Sequence, residues 1–196
     1  KETTINPAFE LVYWYWGLKT AIEWKERLGL EVPELWEDVA EKISEPAVQD
    51  GIYLCSEDTK DSYTNPRYLS DHPIVSGMNG VLPETELVNN MILGHSLDTI
   101  MLKWNWPSTW GWDFPMLAMS AAAIGRGEQA IDFLMMEAPK NRYLLNGHNY
   151  QNPRLAIYLP GNGGLLTAVA KMCVYGQFPH NDKWKVRWEG LNEYVE

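Results

Sequence analysis

The sequence predicts a mainly α-helical protein, built from antiparallel helical hairpins with long loops and a few short strands. Six segments place apolar residues at helical spacing beside a residue typical of a helix start or end. No segment alternates apolar and polar residues for long enough to build a sheet. With 196 residues, 45% of them hydrophobic, the chain can bury a sizeable core, and we expect residues 1–196 to form a single domain.

The first two helices are predicted at residues 6–28 and 33–43. Asn6 is a good N-cap, and Pro7 occupies the first helical position, where its missing N–H costs nothing. Gly29 is expected to end the first helix. The first half of this helix is apolar around most of its circumference, so we expect it to be buried on several sides.

The segment between residues 44 and 82 shows no long periodicity. Its part "DGIYLCSED" fits a short strand or hairpin, and "YLSDHPIVSGMNGVLP" fits a loop. A connection of this length within a compact domain is usually functional. We therefore expect functional residues in this region.

Four further helices are predicted, at residues 84–102, 113–124, 126–138 and 163–176. The first of them contains Gly94, a possible kink. Asp113 is a candidate N-cap and Gly125 a terminator, and the next helix follows so closely that the two should form an antiparallel pair. The long loops would then emerge at the N-terminal ends of alternate helices, where free backbone N–H groups favour a binding site.

Composition excludes several function classes. The net charge of −10 would repel phosphate backbones, so nucleic acid is not an expected partner. No apolar run approaches the ~20 residues needed to span a bilayer, so no membrane is expected either. Nucleotide-binding and metal-binding signatures are absent, and no cofactor is expected.

Cys55 and Cys173 have no paired spacing and predict two free thiols. The start at Lys1 suggests a processed product or a fragment of a longer polypeptide.

Aromatic residues are unusual in type and position. The chain holds ten Trp and ten Tyr but four Phe, a bias towards rings with a polar group. Such rings favour pockets and interfaces, sugar-binding clefts among them, although large cores use them too. Four tryptophans fall within "WNWPSTWGW". We expect Trp104 and Trp106 to lie in the core, and Trp110 and Trp112 to form the wall of a pocket.

Four segments together resemble the six-hairpin glycosidases, most of all glycoside hydrolase family 95 and more distantly family 65. They are "TTINPAFELVYWYWGLKTAIEW", "YLSDHPIVSGMNGVLPET", "STWGWDFPMLAMSAAAIGRGEQAIDFLM" and "YLPGNGGLLTAVAKM". The resemblance runs through about residues 3–176 and covers the second half of a catalytic domain. It implies part of an (α/α)6 toroid and inverting hydrolysis of a terminal sugar, often fucosyl or galactosyl. It also implies a carbohydrate substrate and a periplasmic or secreted location.

Inverting hydrolysis needs a carboxylic acid and a carboxylate about 6.5–9.5 Å apart. The candidate catalytic residues are Asp113 and Glu10, although Asp113 could simply cap a helix and Glu10 could simply favour a helix dipole. Near the position of the family's acid stands Glu2; the acid could instead lie upstream of Lys1. The candidate substrate-binding residues are Asp71, His72, Trp110, Trp112, His148 and Asn162.

One departure from the family pattern bears on mechanism. Family 95 has an Asp immediately before Gly-Asn that serves as the base, and Pro160 stands there in this chain. Either another carboxylate takes the role, with Asp113 the first choice, or the domain binds carbohydrate or acts as a scaffold without cleaving. A third reading is a helical interaction domain, which predicts fully buried Trp110 and Trp112. A half toroid would expose apolar helix faces, so we expect contact with the rest of a parent polypeptide or self-association.

Overall fold

The computed structural model describes residues 3–187 and confirms that the chain is mainly helical. In that range lie six α-helices: α1 (Ala8–Arg27), α2 (Glu34–Lys42), α3 (Asn90–Lys103), α4 (Asp113–Ala123), α5 (Gly127–Leu134) and α6 (Leu159–Val174). Two antiparallel ribbons pair β1 (Val48–Gln49) with β2 (Ile52–Tyr53) and β3 (Arg142–Tyr143) with β4 (Asn149–Tyr150). None of these helices is long and apolar enough to cross a membrane. Glu2 lies outside the described residues.

Helix α1 confirms its predicted extent but not its predicted cap. Gly29 follows the helix with a φ of 64°, as expected of a terminator. The N-cap prediction for Asn6 is wrong, because its side chain turns away and donates to the Glu57 carboxylate at 2.8 Å. The chain enters the helix through a backbone contact instead, in which the Ala8 N–H donates to the Cys55 carbonyl at 3.0 Å.

Helix α4 forms the centre of the molecule. Every residue from Asp113 to Ala122 is buried, and the helix packs against both α5 and α6. This agrees with its sequence, which is apolar on all sides apart from Asp113 and Ser120. A carboxylate at the start of such a helix must find its partners inside the protein.

Two helix starts differ from prediction. Helix α3 begins at Asn90, because Asn89 accepts hydrogen bonds from two amides of the first turn at 2.9 and 3.2 Å. Helix α6 begins at Leu159, since Pro160 fits the first turn of a helix and adds a turn before the predicted start. Asn162 therefore lies within the helix and does not cap it.

The long segment before α3 is ordered by contacts with the helices. It contains a 3₁₀ turn, Ile74–Met78, followed by Gly80 with a φ of 109°. A Cβ added to Gly80 would lie 2.5 Å from the backbone of α4, so only glycine permits this approach. The Lys171 ammonium on α6 also donates to the Gly80 carbonyl. The segment that carries the predicted site residues is thus fixed against α4 and α6.

Both thiols are free, as predicted, because Cys55 and Cys173 form no disulfide. Gly94 lies inside a continuous α3. The absence of a side chain at Gly94 makes room for the Arg126 guanidinium, since a Cβ at this position would lie 2.5 Å from it. The guanidinium donates to the Gly94 carbonyl at 3.0 Å. This glycine serves helix packing.

Candidate functional site

Two of the predicted residues form a hydrogen-bonded pair. The His72 Nδ1 lies 2.7 Å from Asp113 Oδ1, although the residues are 41 positions apart in sequence. The second carboxylate oxygen of Asp113 accepts from the Trp110 backbone N–H at 2.8 Å. Asp113 therefore does not cap α4 as predicted. Its carboxylate is fully buried and holds the imidazole of His72 with one oxygen and the preceding loop with the other.

The environment of His72 favours the protonated imidazole. The hydrogen bond to Asp113 raises the imidazole pKa, burial opposes this, and the charges of Asp113 and Asp71 add to the increase. About a third of the His72 side chain is exposed. Because Nδ1 is engaged by Asp113, the Nε2 atom is the one available to a ligand, as a hydrogen-bond donor when the ring is protonated.

His72 and Asp71 share a cleft of about 250 Å³, which is lined by Cys55, Tyr68, Asp71, His72 and Ile74. This volume is below the range of about 300–1,000 Å³ that is typical of sites for drug-sized molecules. Asp71 is exposed, and one of its oxygens accepts the His72 backbone N–H at 2.8 Å. An open carboxylate therefore stands beside the imidazole. Such a pair can address the hydroxyl groups of a small polar ligand.

A larger cleft of about 790 Å³ lies between the end of α5 and the β3–β4 ribbon. Neither His72 nor Asp113 lines it. A buried acid–base pair with a perturbed pKa is the better indication of chemistry than volume, so we place the candidate site at the smaller cleft.

Trp104 and Trp106 lie as predicted, whereas neither Trp110 nor Trp112 is among the residues that line the cleft at His72. Trp104 is buried in the core and its indole donates to the Asp71 carbonyl at 2.9 Å. Trp106 is half-buried and packs against the core. Trp112 is half-buried, with its ring edge-on to the His72 ring at a centroid distance of 5.1 Å. It therefore lies next to the histidine of the cleft.

Trp110 does not present a bare stacking surface. Its ring is 38% exposed, but Tyr158 packs against it at a centroid distance of 5.6 Å and the Lys140 Nζ lies 4.8 Å from its centroid. Neither Trp110 nor Trp112 is fully buried, which disagrees with a purely structural role in a core. The sequence-based prediction did not include Tyr158, although its position just before α6 could have indicated a residue at the loop end of a helix. No local feature of the sequence distinguishes Lys140.

Asn162 serves the scaffold and not an open site. Its side chain accepts the Asn149 backbone N–H at 2.9 Å and donates to the Gly147 carbonyl at 2.7 Å, so both of its polar atoms tie the β3–β4 ribbon to α6. His148 lies in the ribbon, half-buried, and its Nδ1 is buried without a partner among the described residues.

Glu10 is not drawn into the pair at His72. It is exposed in the first turn of α1, and its side chain makes no hydrogen bond or ion pair to the part of the chain that the structure describes. This position suits a favourable interaction with the helix dipole. The structure thus brings Asp71, His72, Asp113 and Trp112 together and leaves Glu10 apart from their hydrogen bonds.

The His72–Asp113 pair makes stability depend on pH. Because folding raises the His72 pKa, the pair's contribution should be fully present below the unfolded value of about 6.5 and lost as pH rises through the folded value. Urea unfolding over this range should show wild-type stability declining relative to His72→Gln. Parallel stability profiles for the two proteins would contradict the raised pKa.

Comparisons with known proteins supply no relative: no family model, no curated protein and no solved structure matches this chain.

Proposed function

We propose that this chain is part of a six-hairpin glycoside hydrolase, in which the cleft at Asp71 and His72 receives the terminal sugar of a glycoside. The four sequence segments that resemble family 95 support this proposal. The observation that carries it is the buried His72–Asp113 pair, because its two halves come from two of those segments. A buried carboxylate that orients an imidazole beside an open cleft is an arrangement suited to proton transfer and to hydroxyl recognition.

The geometry favours a different division of roles from the one expected of the sequence. Asp113 has both oxygens occupied and no exposure, so it acts as a positioning residue for His72. Asp71 is the open carboxylate of the cleft, and we assign it the activation of water. His72, whose pKa is raised by its hydrogen bond to Asp113, donates a hydrogen bond from Nε2 to the sugar when its ring is protonated. The general acid would come from outside the described residues, as the resemblance implies.

The proposal includes the (α/α)6 toroid, of which this chain would supply half. Exposed apolar side chains on α6 support it, since several such side chains on one helix usually mark a surface that another part of the protein or a partner covers. These side chains are Leu159, Leu166, Val169 and Val174. The rest of a parent polypeptide, or a second copy of the chain, would cover them.

The second candidate function is carbohydrate binding without cleavage. It is favoured by Pro160, which replaces the family's base and lies exposed in the first turn of α6. Proline offers no group that could orient a water molecule. In this case Asp71 and His72 would recognise sugar hydroxyls, and no turnover would occur.

Hydrolysis of aryl fucosides and galactosides by the complete polypeptide, with calorimetry on the same sugars, separates the two functions. Hydrolysis that Asp71→Asn reduces by about 10²–10⁴-fold supports the enzyme. The matched control is Asp50→Asn, an exposed aspartate in the turn of the β1–β2 ribbon, which should leave activity unchanged. Sugar binding that needs His72, without turnover, supports the second function. If the folded protein neither binds nor cleaves these sugars, both are wrong.

A further inference from the structure

Three side chains form a compact group beside the candidate site, which we call the Trp110 cluster: Trp110, Lys140 and Tyr158. The Lys140 Nζ lies 4.8 Å from the Trp110 ring centroid, and the Tyr158 ring centroid lies 5.6 Å from it at an interplanar angle of 39°. Each partner comes from a different loop, one after α5 and one before α6. The indole of Trp110 therefore contacts both the ammonium of Lys140 and the phenol ring of Tyr158.

The Trp110 cluster is fixed to the His72–Asp113 pair through the backbone. The Trp110 N–H donates to Asp113 at 2.8 Å. The next residue, Gly111, donates its N–H to the Gln151 side chain at 2.9 Å, and the same side chain donates to the Lys140 carbonyl at 3.2 Å. Gln151 is buried, so this connection is protected from water. The side-chain amide of Gln151 thus binds the backbone next to Trp110 and the backbone of Lys140.

Asp113 also influences Tyr158 directly. Burial raises the pKa of the Tyr158 phenol, and the negative charge of Asp113 raises it further. The phenol therefore lies within electrostatic reach of the buried carboxylate. A ligand in contact with Tyr158 would lie next to the candidate site.

The cluster offers hydrogen-bond donors whose capacity is not filled by the described residues. Lys140 has no carboxylate within 4.0 Å among the described residues, and its ammonium makes a single hydrogen bond, to the Ser108 carbonyl at 3.4 Å. The Tyr158 hydroxyl donates to none of the residues that the structure describes. In a chain of net charge −10, a half-buried lysine with no carboxylate partner among the described residues is a feature to be explained.

We infer that the Trp110 cluster binds the carboxylate of an acidic sugar, so that the substrate is a glycan containing uronate. Lys140 pairs with the carboxylate, the Tyr158 hydroxyl donates to it, and Trp110 keeps both in place. A charge-assisted hydrogen bond is stronger than a neutral one, which makes this group a determinant of specificity. The inference rests on the proposed function, since it assigns a sugar to the cleft beside the cluster.

The test compares methyl galacturonoside with methyl galactoside, which share a ring and differ at carbon 6. Calorimetry at pH 7 and physiological salt should give the uronate an affinity about tenfold higher, the equivalent of one charge-assisted hydrogen bond. Lys140→Gln should abolish the preference. Tyr158→Phe keeps the ring against Trp110 and should reduce the preference. Lys103→Gln, an exposed lysine at the end of α3, is the matched control and should retain it.

The outcomes separate the two proposals. Equal affinity for the two sugars overturns the acidic-sugar inference and leaves the proposed function standing. A preference that persists in Lys140→Gln also overturns the inference, because the carboxylate is then recognised elsewhere. Failure of the folded wild-type protein to bind either sugar contradicts the proposed function, and the inference falls with it.

Discussion

Replacement of Asp113 by asparagine is expected to lower the pKa of His72 and to destabilise the fold by about 2–4 kcal/mol. The amide is nearly isosteric and can still accept the Trp110 N–H. It cannot supply the charge that stabilises the imidazolium. With its oxygen bound to the Trp110 N–H, the amide presents its NH₂ group, a donor, to the Nδ1 atom of His72. The neutral ring would then carry its proton on Nε2 in order to accept from the amide at Nδ1. Both the protonation and the tautomer of the histidine in the cleft should change.

Nuclear magnetic resonance titration of the His72 ring and urea unfolding measure the two effects. Asp98→Asn is the matched control, because Asp98 pairs with Arg126 at 2.7 Å on the exposed surface, where such a pair contributes about 0–1 kcal/mol. This variant should leave the His72 titration unchanged. A His72 pKa that is the same in Asp113→Asn as in the wild type would show that the buried pair does not control the imidazole.

Gly80→Ala is expected to destabilise the protein by about 3–5 kcal/mol, by the sum of overpacking and backbone strain. Its φ of 109° disfavours any side chain, and the new Cβ would lie 2.5 Å from the backbone of α4 at Met119 and Ser120. Backbone atoms in the central helix cannot move aside as a flexible side chain can. If the alanine forces the Gly80 segment away from α4, the segment that brings His72 to Asp113 should be displaced as well.

Chemical denaturation of Gly80→Ala should be compared with Gly17→Ala. Gly17 lies inside α1, and a Cβ there meets no atom within 4 Å. This control should therefore stabilise the protein by about 0.5–1 kcal/mol, because alanine is the better helix former. If Gly80→Ala is as stable as the wild type, the close approach of this segment to α4 does not hold the site together.

The helices were the most predictable part of the fold. Five of the six predicted segments match a helix to within a few residues at their starts, since apolar spacing and terminal glycines act locally. The start of α3 was misplaced by six residues, because "PETELV" has helical composition but Asn89 supplies the stronger cap. The error at α6 has the opposite sign, because Pro160 is suited to a first turn and the helix begins before the predicted residue.

The sequence could predict which residues belong to the candidate site, but it could not predict the contacts between them. His72, Asp113 and Trp112 could be selected from local sequence and from the resemblance. Nothing local indicates that Asp113 turns back to Trp110 and across to His72, because helix-capping rules predict a contact within its own first turn. Asn162 misleads for a related reason: its amide suits a sugar equally well, yet in the fold it binds backbone groups.

The sequence by itself determined the helices, their approximate ends and the absence of an extended sheet among the described residues, because these follow from periodicity and from the backbone preferences of single residues. It also determined the net charge of −10 and the bias towards Trp and Tyr. Only the tertiary structure decided that His72 and Asp113 meet, that Lys140 and Tyr158 flank Trp110, and that Gly80 approaches α4. Those contacts join residues about 30 to 50 positions apart, and their energies depend on burial and distance, which exist only once the chain has folded.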